Sequence, residues 1–246
     1  MGIFLHQDLI LKNHEYWNQK PVLRALYRDF YRLIESHLSN LPESRIVELG
    51  SGLGNIHEVI PSCVRTDLFL NSWIDQVENA YQLSFADESV SDLILTDVFH
   101  HLKYPGTAFR EFFRVLRRGG RVIMLEPCLS ALGLLVYGVF HDEPIAILKE
   151  IQWDAPNGWS PENINYYAAQ GNASRIFLGN GFHHKLGDWQ KIETVRLSAL
   201  AYAASGGFSK PQLYPTSALP LIRKLENLLN LFPSLFATRL LVILEK

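Results

Sequence analysis

Residues 45–56 read RIVELGSGLGNI. Ile46 to Leu49 is a short apolar run of strand character, and Glu48 to Gly54 form a glycine-rich turn at its carboxyl end. Such turns hold several cofactors, and spacing separates them. A dinucleotide fingerprint, G-x-G-x-x-G, needs its third glycine at position 55, where the chain has Asn55. A G-x-x-x-x-G-K-[ST] phosphate loop needs a lysine that is not there. The pattern is acidic-x-G-x-G-x-G, which suits a cofactor without phosphate: glycines admit an amino-acid moiety close to the backbone, and Glu48 stands near its ammonium. Asp67 closes the next apolar run and is placed to accept hydrogen bonds from both hydroxyls of a ribose, as acidic residues do in dinucleotide sites.

Outward from this turn, strands and helices alternate. Before it, Leu23, Leu26, Tyr27, Phe30, Ile34 and Leu38 repeat with helical period over 21–38. After it come a weak strand at 75–80 and a buried one at 93–97, closed by Asp97. A helix follows with the stripe Phe109, Phe112, Phe113 and Leu116; Gly119 and Gly120 are expected to terminate it before a strand at 121–126. Strand character returns at 191–202 and 239–245, with an amphipathic helix at 217–231 between them. This rhythm predicts an α/β fold: a seven-stranded, mostly parallel sheet with helices on both faces and its last strand antiparallel.

With 246 residues, one α/β domain with a lid and an insertion is expected. The expected parts are an N-terminal helical lid (1–40), a cofactor-binding core (41–126), a substrate-pocket insertion (127–188) and C-terminal strands and helix (189–246). The net charge of −2, without a basic run, argues against a nucleic-acid partner. Cys63 and Cys128 are too few for a disulfide framework, and a reducing cytoplasm is the simplest setting. The uncharged stretch 127–140 falls short of the roughly 20 residues of a spanning helix, so no transmembrane segment is expected.

The run 79–126, NAYQLSFADESVSDLILTDVFHHLKYPGTAFREFFRVLRRGGRVIMLEP, together with the glycine turn, resembles the class I S-adenosylmethionine-dependent methyltransferases of the small-molecule type. The likeness spans 45–126 almost continuously. It implies S-adenosyl-L-methionine as cofactor and S-adenosyl-L-homocysteine as product. Glu48, Gly50, Ser51, Gly52 and Gly54 would line the methionine part, Asp67 would hold the ribose, Leu68 would pack beside the adenine, and Asn79 with Ala80 would face the adenine amino group. Thr96, at the end of the fourth strand, joins this set. Asn79 stands where the family more often has Asp; its amide oxygen can still accept a hydrogen bond. Ser84 and Arg118 replace prolines common in the family. In this fold the segment before the first long helix often closes over the cofactor, which places Tyr16 or Trp17 against the sulfonium. The motifs FHDEP, GNASRIF and SGGFS also resemble a narrower group of bacterial methyltransferases from surface-polysaccharide and related biosynthetic clusters.

Methyl transfer to a hydroxyl or a protonated amine requires removal of a proton, a task suited to histidine. His100 and His101 follow the fourth strand. As helical neighbours they would point about 100° apart, so only one is expected to face the substrate. His141 with Glu143 follows the uncharged stretch and reads either as a base with its orienting carboxylate or as a solvated helix start. His141, Asp142, Glu143, His183 and His184 offer ligand atoms in no spacing that marks a metal, and none is expected. Cys128 is poorly placed for a nucleophile. Trp153, Trp159, Tyr166 and Tyr167, mixed with Asn157, Asn163, Asn165 and Asn172, suggest a polar-aromatic surface for a sugar or another polar small molecule. The expected acceptor is an oxygen of a sugar or glycan precursor, with another small metabolite or a lipid-linked acceptor as the alternative. A non-catalytic partner subunit that keeps only the cofactor site is the competing reading from outside the enzymes.

Overall fold

A computed structural model of the chain describes residues 3–140 and 143–246. Two helices lead in, α1 (Ile3–Gln19) and α2 (Pro21–Glu35). Pro21 starts α2, where its missing N–H costs nothing. The stripe Leu23, Leu26, Tyr27, Phe30 and Ile34 is buried as its period requires.

The sheet has seven strands: β1 (Ile46–Leu49), β2 (Val64–Asp67), β3 (Gln76–Val77), β4 (Val90–Thr96), β5 (Leu116–Pro127), β6 (Lys191–Leu197) and β7 (Arg239–Glu245). Their order is β3-β2-β1-β4-β5-β7-β6. The first five run parallel, and β7 lies antiparallel between β5 and β6. Strand order reverses between β1 and β4, the switch point where open α/β sheets receive ligands at the carboxyl ends of the strands. The register sets Leu49 beside Leu95 and Thr96 beside Leu125, so the residues that follow β1, β4 and β5 meet at one edge.

Alternation divides the core into two layers. Ile46, Ile94, Ile123, Leu241 and Ile243 face the layer that contains Tyr27, Phe30 and Ile34 of α2. Val47, Leu93, Val122, Met124 and Val242 face the layer that contains α3 (Pro105–Val115). The insertion folds onto that second layer through α5 (Asn172–Phe177) and the segment around Trp153, while α4 (Ala131–Val139) packs on the helix that precedes β7.

Two expected boundaries move. Gly119 and Gly120 do not end a helix: α3 stops at Val115, and the pair lies inside β5. There the pairing with β4 jumps from Val90–Leu116 to Asp92–Arg121, so the glycines absorb a bulge. Gly119 has φ 74°, and a Cβ on Gly120 would lie 2.8 Å from the carbonyl oxygens of Arg117 and Ser91. The strand expected at 191–202 ends at Leu197, because Asn230 Oδ1 and Thr238 Oγ1 accept from the amides of Ser198 and Ala199 and turn the chain into α6 (Leu200–Ser205). The amphipathic helix is α7 (Leu219–Leu229), followed by α8 (Pro233–Phe236). Among the described residues, no helix is long and apolar enough to cross a membrane.

Candidate active site

The turn after β1 is built on left-handed backbone: Gly50, Gly52 and Gly54 have φ of 70°, 52° and 63°. Gly50 has a second constraint, since a Cβ there would stand 2.5 Å from Cγ2 of Val98, just beyond β4. The turn is pinned from below by Ser51, whose amide donates to the Thr66 carbonyl at 2.8 Å, and by Thr66 Oγ1, which donates to the Glu48 carbonyl. Asp67 Oδ2 accepts from the Gly52 amide at 3.0 Å, which joins the carboxylate of β2 to the crest of the turn.

Glu48 is 1% exposed. Burial pushes its carboxyl up to about 7, opposed by hydrogen bonds with Ser51 and Tyr31 and reinforced by the charge of Asp67. Its Oε2 is buried without a hydrogen-bond partner. A buried, orphaned carboxylate oxygen beside a glycine cradle fits a bound ammonium, the group that an amino-acid cofactor would place there. Thr96 Oγ1 is likewise buried without a partner at the end of β4. The residues present therefore fit S-adenosylmethionine at its methionine end. Leu68 is half-buried just past Asp67.

Asn79 is engaged otherwise. Its Oδ1 accepts from the Tyr81 amide at 3.0 Å, and its Nδ2 donates to the Pro161 carbonyl, which ties the segment after β3 to the insertion. Ala80 packs against the second core layer.

The N-terminal helix covers the turn. Ile10 of α1 is the side chain nearest to Gly52, 3.7 Å from where a Cβ would stand, and the His14 ring lies 5.1 Å from that of Trp73 in the loop after β2. Trp17 is packed edge-on to Tyr27 and stacks on Phe208. Tyr16 lies under the ammonium of Lys20, and that ammonium donates to the carbonyls of Ser205, Gly207 and Lys210. The aromatic pair thus seats α1 on α2 and the end of α6 and not on the turn, where it was expected, while Ile10 and His14 reach Gly52 and Trp73.

On the other side of Val98, the chain makes a 3-10 turn, Phe99–His101. Glu126, fully buried at the end of β5, accepts the Val98 and Phe99 amides on Oε1 and faces His100 Nδ1 with Oε2 at 2.7 Å. His100 Nε2 lies 3.2 Å from Glu143 Oε2, and His101 Nε2 lies 3.7 Å from Glu143 Oε1. His101 Nδ1 is held by the Tyr167 carbonyl at 2.8 Å. Glu143 also accepts from Tyr166 at 2.9 Å and from Gln170 at 2.5 Å. Burial alone would lower the pKa of His100, but Glu126 and Glu143 outweigh it and raise it to about 10. Burial and the neighbouring His100 lower that of His101. Burial opposes ionisation of Glu143, yet His100 and His101 hold it well below the usual carboxylate range.

Of the two histidines, His100 is buried and His101 is a third exposed. In the 3-10 turn their ring centroids are 4.2 Å apart, and the two oxygens of Glu143 reach both. The pairing of His141 with Glu143 falls partly outside the described residues, because His141 lies there. The polar-aromatic surface is also smaller than expected. Trp153 stacks on Phe182 and packs against Phe109, and Trp159 meets Tyr81 and Tyr104 edge-on, so both tryptophans serve the core. Tyr166 alone of the four aromatics is exposed. Cys128 is buried, and burial raises its thiol pKa.

One feature escaped the sequence reading. Arg239, at the start of β7, is 1% exposed and pairs with Asp97, its Nη2 lying 2.8 Å from Oδ2. Asp97 takes φ 57°, and the Arg239 guanidinium lies over the Tyr202 ring at 4.3 Å. An arginine opening an apolar strand gives no local signal of this role; only the antiparallel placement of β7 brings it to the end of β4.

Residues 47–124 match the family model of a methyltransferase domain. No curated protein matches the chain. Among solved structures, a methyltransferase from Thermotoga maritima described as a possible histamine N-methyltransferase is 14% identical, with 96% of this chain and 98% of that one covered at a TM-score of 0.57. A methyltransferase from Archaeoglobus fulgidus is 11% identical, with 91% and 94% covered at 0.53. The geranyl diphosphate C-methyltransferase of Streptomyces coelicolor is 13% identical, with 90% and 79% covered at 0.52. These structures share the fold.

Proposed function

From a chain that carries a class I S-adenosylmethionine-dependent methyltransferase domain, we propose an enzyme that methylates an oxygen of a small polar acceptor, such as a sugar or glycan precursor. The observation that carries this reading is the contact of Val98 with Gly50. It supports a cofactor at the glycine turn on one side of residue 98 and an acceptor at the His100–His101–Glu143 cluster on the other.

The cofactor supplies an activated methyl group on a sulfonium. The chain's own task is to bind, align and keep water out. Glu48 would take the ammonium and Asp67 the ribose hydroxyls, with Ile10 of the lid closing over Gly52. On the acceptor side, Tyr166 and Glu143 offer hydrogen-bond partners to a hydroxyl. His101, a third exposed, presents its Nε2 towards the same point and would take the acceptor's proton. The solved structure with geranyl diphosphate bound has the same fold and an acceptor that joins an isoprenoid chain to a diphosphate, so the fold by itself does not choose the substrate.

A second reading has its own support. Leu134, Leu135, Val139 and Phe140 of α4 and its carboxyl end are exposed, as are Leu231, Phe232 and Leu235 around α8, against which α4 packs. An apolar face of this kind beside the insertion suits an acceptor delivered on a lipid carrier.

The test is calorimetric titration with S-adenosylhomocysteine, with NADH as control, followed by a screen of nucleotide sugars and polyprenyl-linked sugars for methyl transfer. Binding of S-adenosylhomocysteine alone, and methylation of a member of the panel, is the expected result. Binding without transfer to any sugar would remove the sugar reading, and transfer only to the polyprenyl-linked set would select the second.

A further inference from the structure

We propose that His100, His101 and Glu143 form a binding site for a divalent transition-metal ion of the Zn2+ type. One ligand atom from each, two imidazole nitrogens and a carboxylate oxygen, lies within 4.8 Å of the others. The hydrogen bonds behind them determine what those atoms offer. The Tyr167 carbonyl can only accept, so His101 Nδ1 carries the hydrogen and Nε2 carries a lone pair. Glu126 accepts two backbone amides on Oε1, and its Oε2 accepts from His100 Nδ1, which aims Nε2 of that ring inward too. Both Nε2 atoms face the two oxygens of Glu143, and an ion would take the place of the proton that His100 Nε2 holds against that carboxylate. Three donors directed at one point, each steadied from behind by a carboxylate, a carbonyl, or a tyrosine with a glutamine, is the arrangement that metal-binding histidines and carboxylates adopt.

Gln170 adds an independent observation. It is 1% exposed, its Oε1 is buried without a partner, and its Nε2 lies 3.4 Å from His100 Nε2. With an ion bound to Glu143, rotation of the amide would exchange its hydrogen bond to that carboxylate for an oxygen directed at the ion, a fourth ligand atom. Two imidazoles and a carboxylate are a borderline-soft set, which favours Zn2+ over Mg2+. The binding claim stands apart from the proposed function. Only the ion's task rests on that reading, namely to hold the acceptor oxygen and acidify its hydroxyl in place of direct proton uptake by His101.

The experiment uses the full chain, stripped with chelator and dialysed, titrated calorimetrically with Zn2+ and with Mg2+, and examined for visible absorption after addition of Co2+. One Zn2+ per chain with no Mg2+ binding, and Co2+ bands typical of low coordination number, are expected. His101→Asn and Glu143→Gln should each weaken Zn2+ by at least tenfold, whereas His184→Gln should not. Circular dichroism identifies any variant that fails to fold, and the Co2+ spectrum of the wild-type chain decides the matter without variants. Absence of Co2+ bands, or Zn2+ affinity unchanged in both folded variants, would overturn the site and leave a proton shared among the three side chains. Titration of the same stripped chain with S-adenosylhomocysteine reports separately on the cofactor reading.

Discussion

Asp97 and Arg239 join the carboxyl end of β4 to the start of β7 through a two-pronged ion pair in which the arginine is 1% and the aspartate 28% exposed. The asymmetry fixes which partner matters more. Asp97→Asn keeps the shape and the tolerance for left-handed backbone but leaves a guanidinium buried without its counter-charge, an expected loss of about 3–5 kcal/mol. Arg239→Met leaves a carboxylate that water can reach and fills the space with an apolar chain, so a smaller loss is expected. Urea unfolding of the two variants checks the order, and equal losses would show that the pair acts through packing on Tyr202 instead.

Gly50→Ala combines two penalties. Its φ of 70° costs about 1–2 kcal/mol for a residue with a Cβ, and that Cβ would press on Val98. Since Val98 leads into the histidine turn, S-adenosylhomocysteine affinity and turnover are expected to fall together. Gly158→Ala, where φ is also positive but no atom lies within 4 Å, should cost only the backbone strain. Indistinguishable titrations of the two variants would remove the steric part of this account.

Asp67→Ala removes the proposed ribose partner and the acceptor for the Gly52 amide at once. Cofactor binding is expected to weaken by about 1–3 kcal/mol, roughly fivefold to 150-fold. Adenine-free fragments such as methionine should lose far less. Calorimetry with both ligands makes the distinction, and an unchanged S-adenosylhomocysteine affinity in a folded variant would place the ribose elsewhere.

Glu48 makes both stability and binding depend on pH, in opposite directions. Its carboxyl is raised from 4.5 to about 7, so the folded chain holds this proton more tightly than the unfolded chain. The associated stability, about 3 kcal/mol, is complete below pH 4.5 and is lost as pH rises through 7. Ammonium binding needs the ionised form, so cofactor affinity should climb over the same window. Glu48→Gln is expected to flatten both trends. Thermal melts without ligand and titrations at pH 6 and pH 8 report the two separately.

The glycine turn and the strand-end Asp67 were legible because their chemistry is local: left-handed backbone needs glycine, and a carboxylate that closes a strand of a parallel sheet lies at its carboxyl edge. The two-layer sheet followed from the period of apolar residues. The site opposite the turn was harder to read. His100 and His101 were expected on a regular helix, whereas they lie on a 3-10 turn held by Glu126, which brings both rings to Glu143. Glu143 reaches them from the insertion, and the use of Trp153 and Trp159 in the core followed from packing on Phe109 of α3 and on Tyr81 and Tyr104. Arg239 and Asn79 likewise take their partners from distant segments, for which period and spacing carry no information.

The place of β7 bears on the order in which the molecule can assemble. Of the seven strands of this sheet it is the last to leave the ribosome, yet it fills a gap inside the sheet and bonds to β5 and β6 at once. Until residues 239–245 are made, β5 keeps a raw hydrogen-bonding edge and β6 has no neighbour, a state open to mispairing between nascent chains. Translation and folding are thereby coupled: the first five strands can gather early, while the final step closes the sheet from within. Chains stalled before Arg239 should be cleaved by protease throughout 190–200, and completion of the strand should confer protection in a single step.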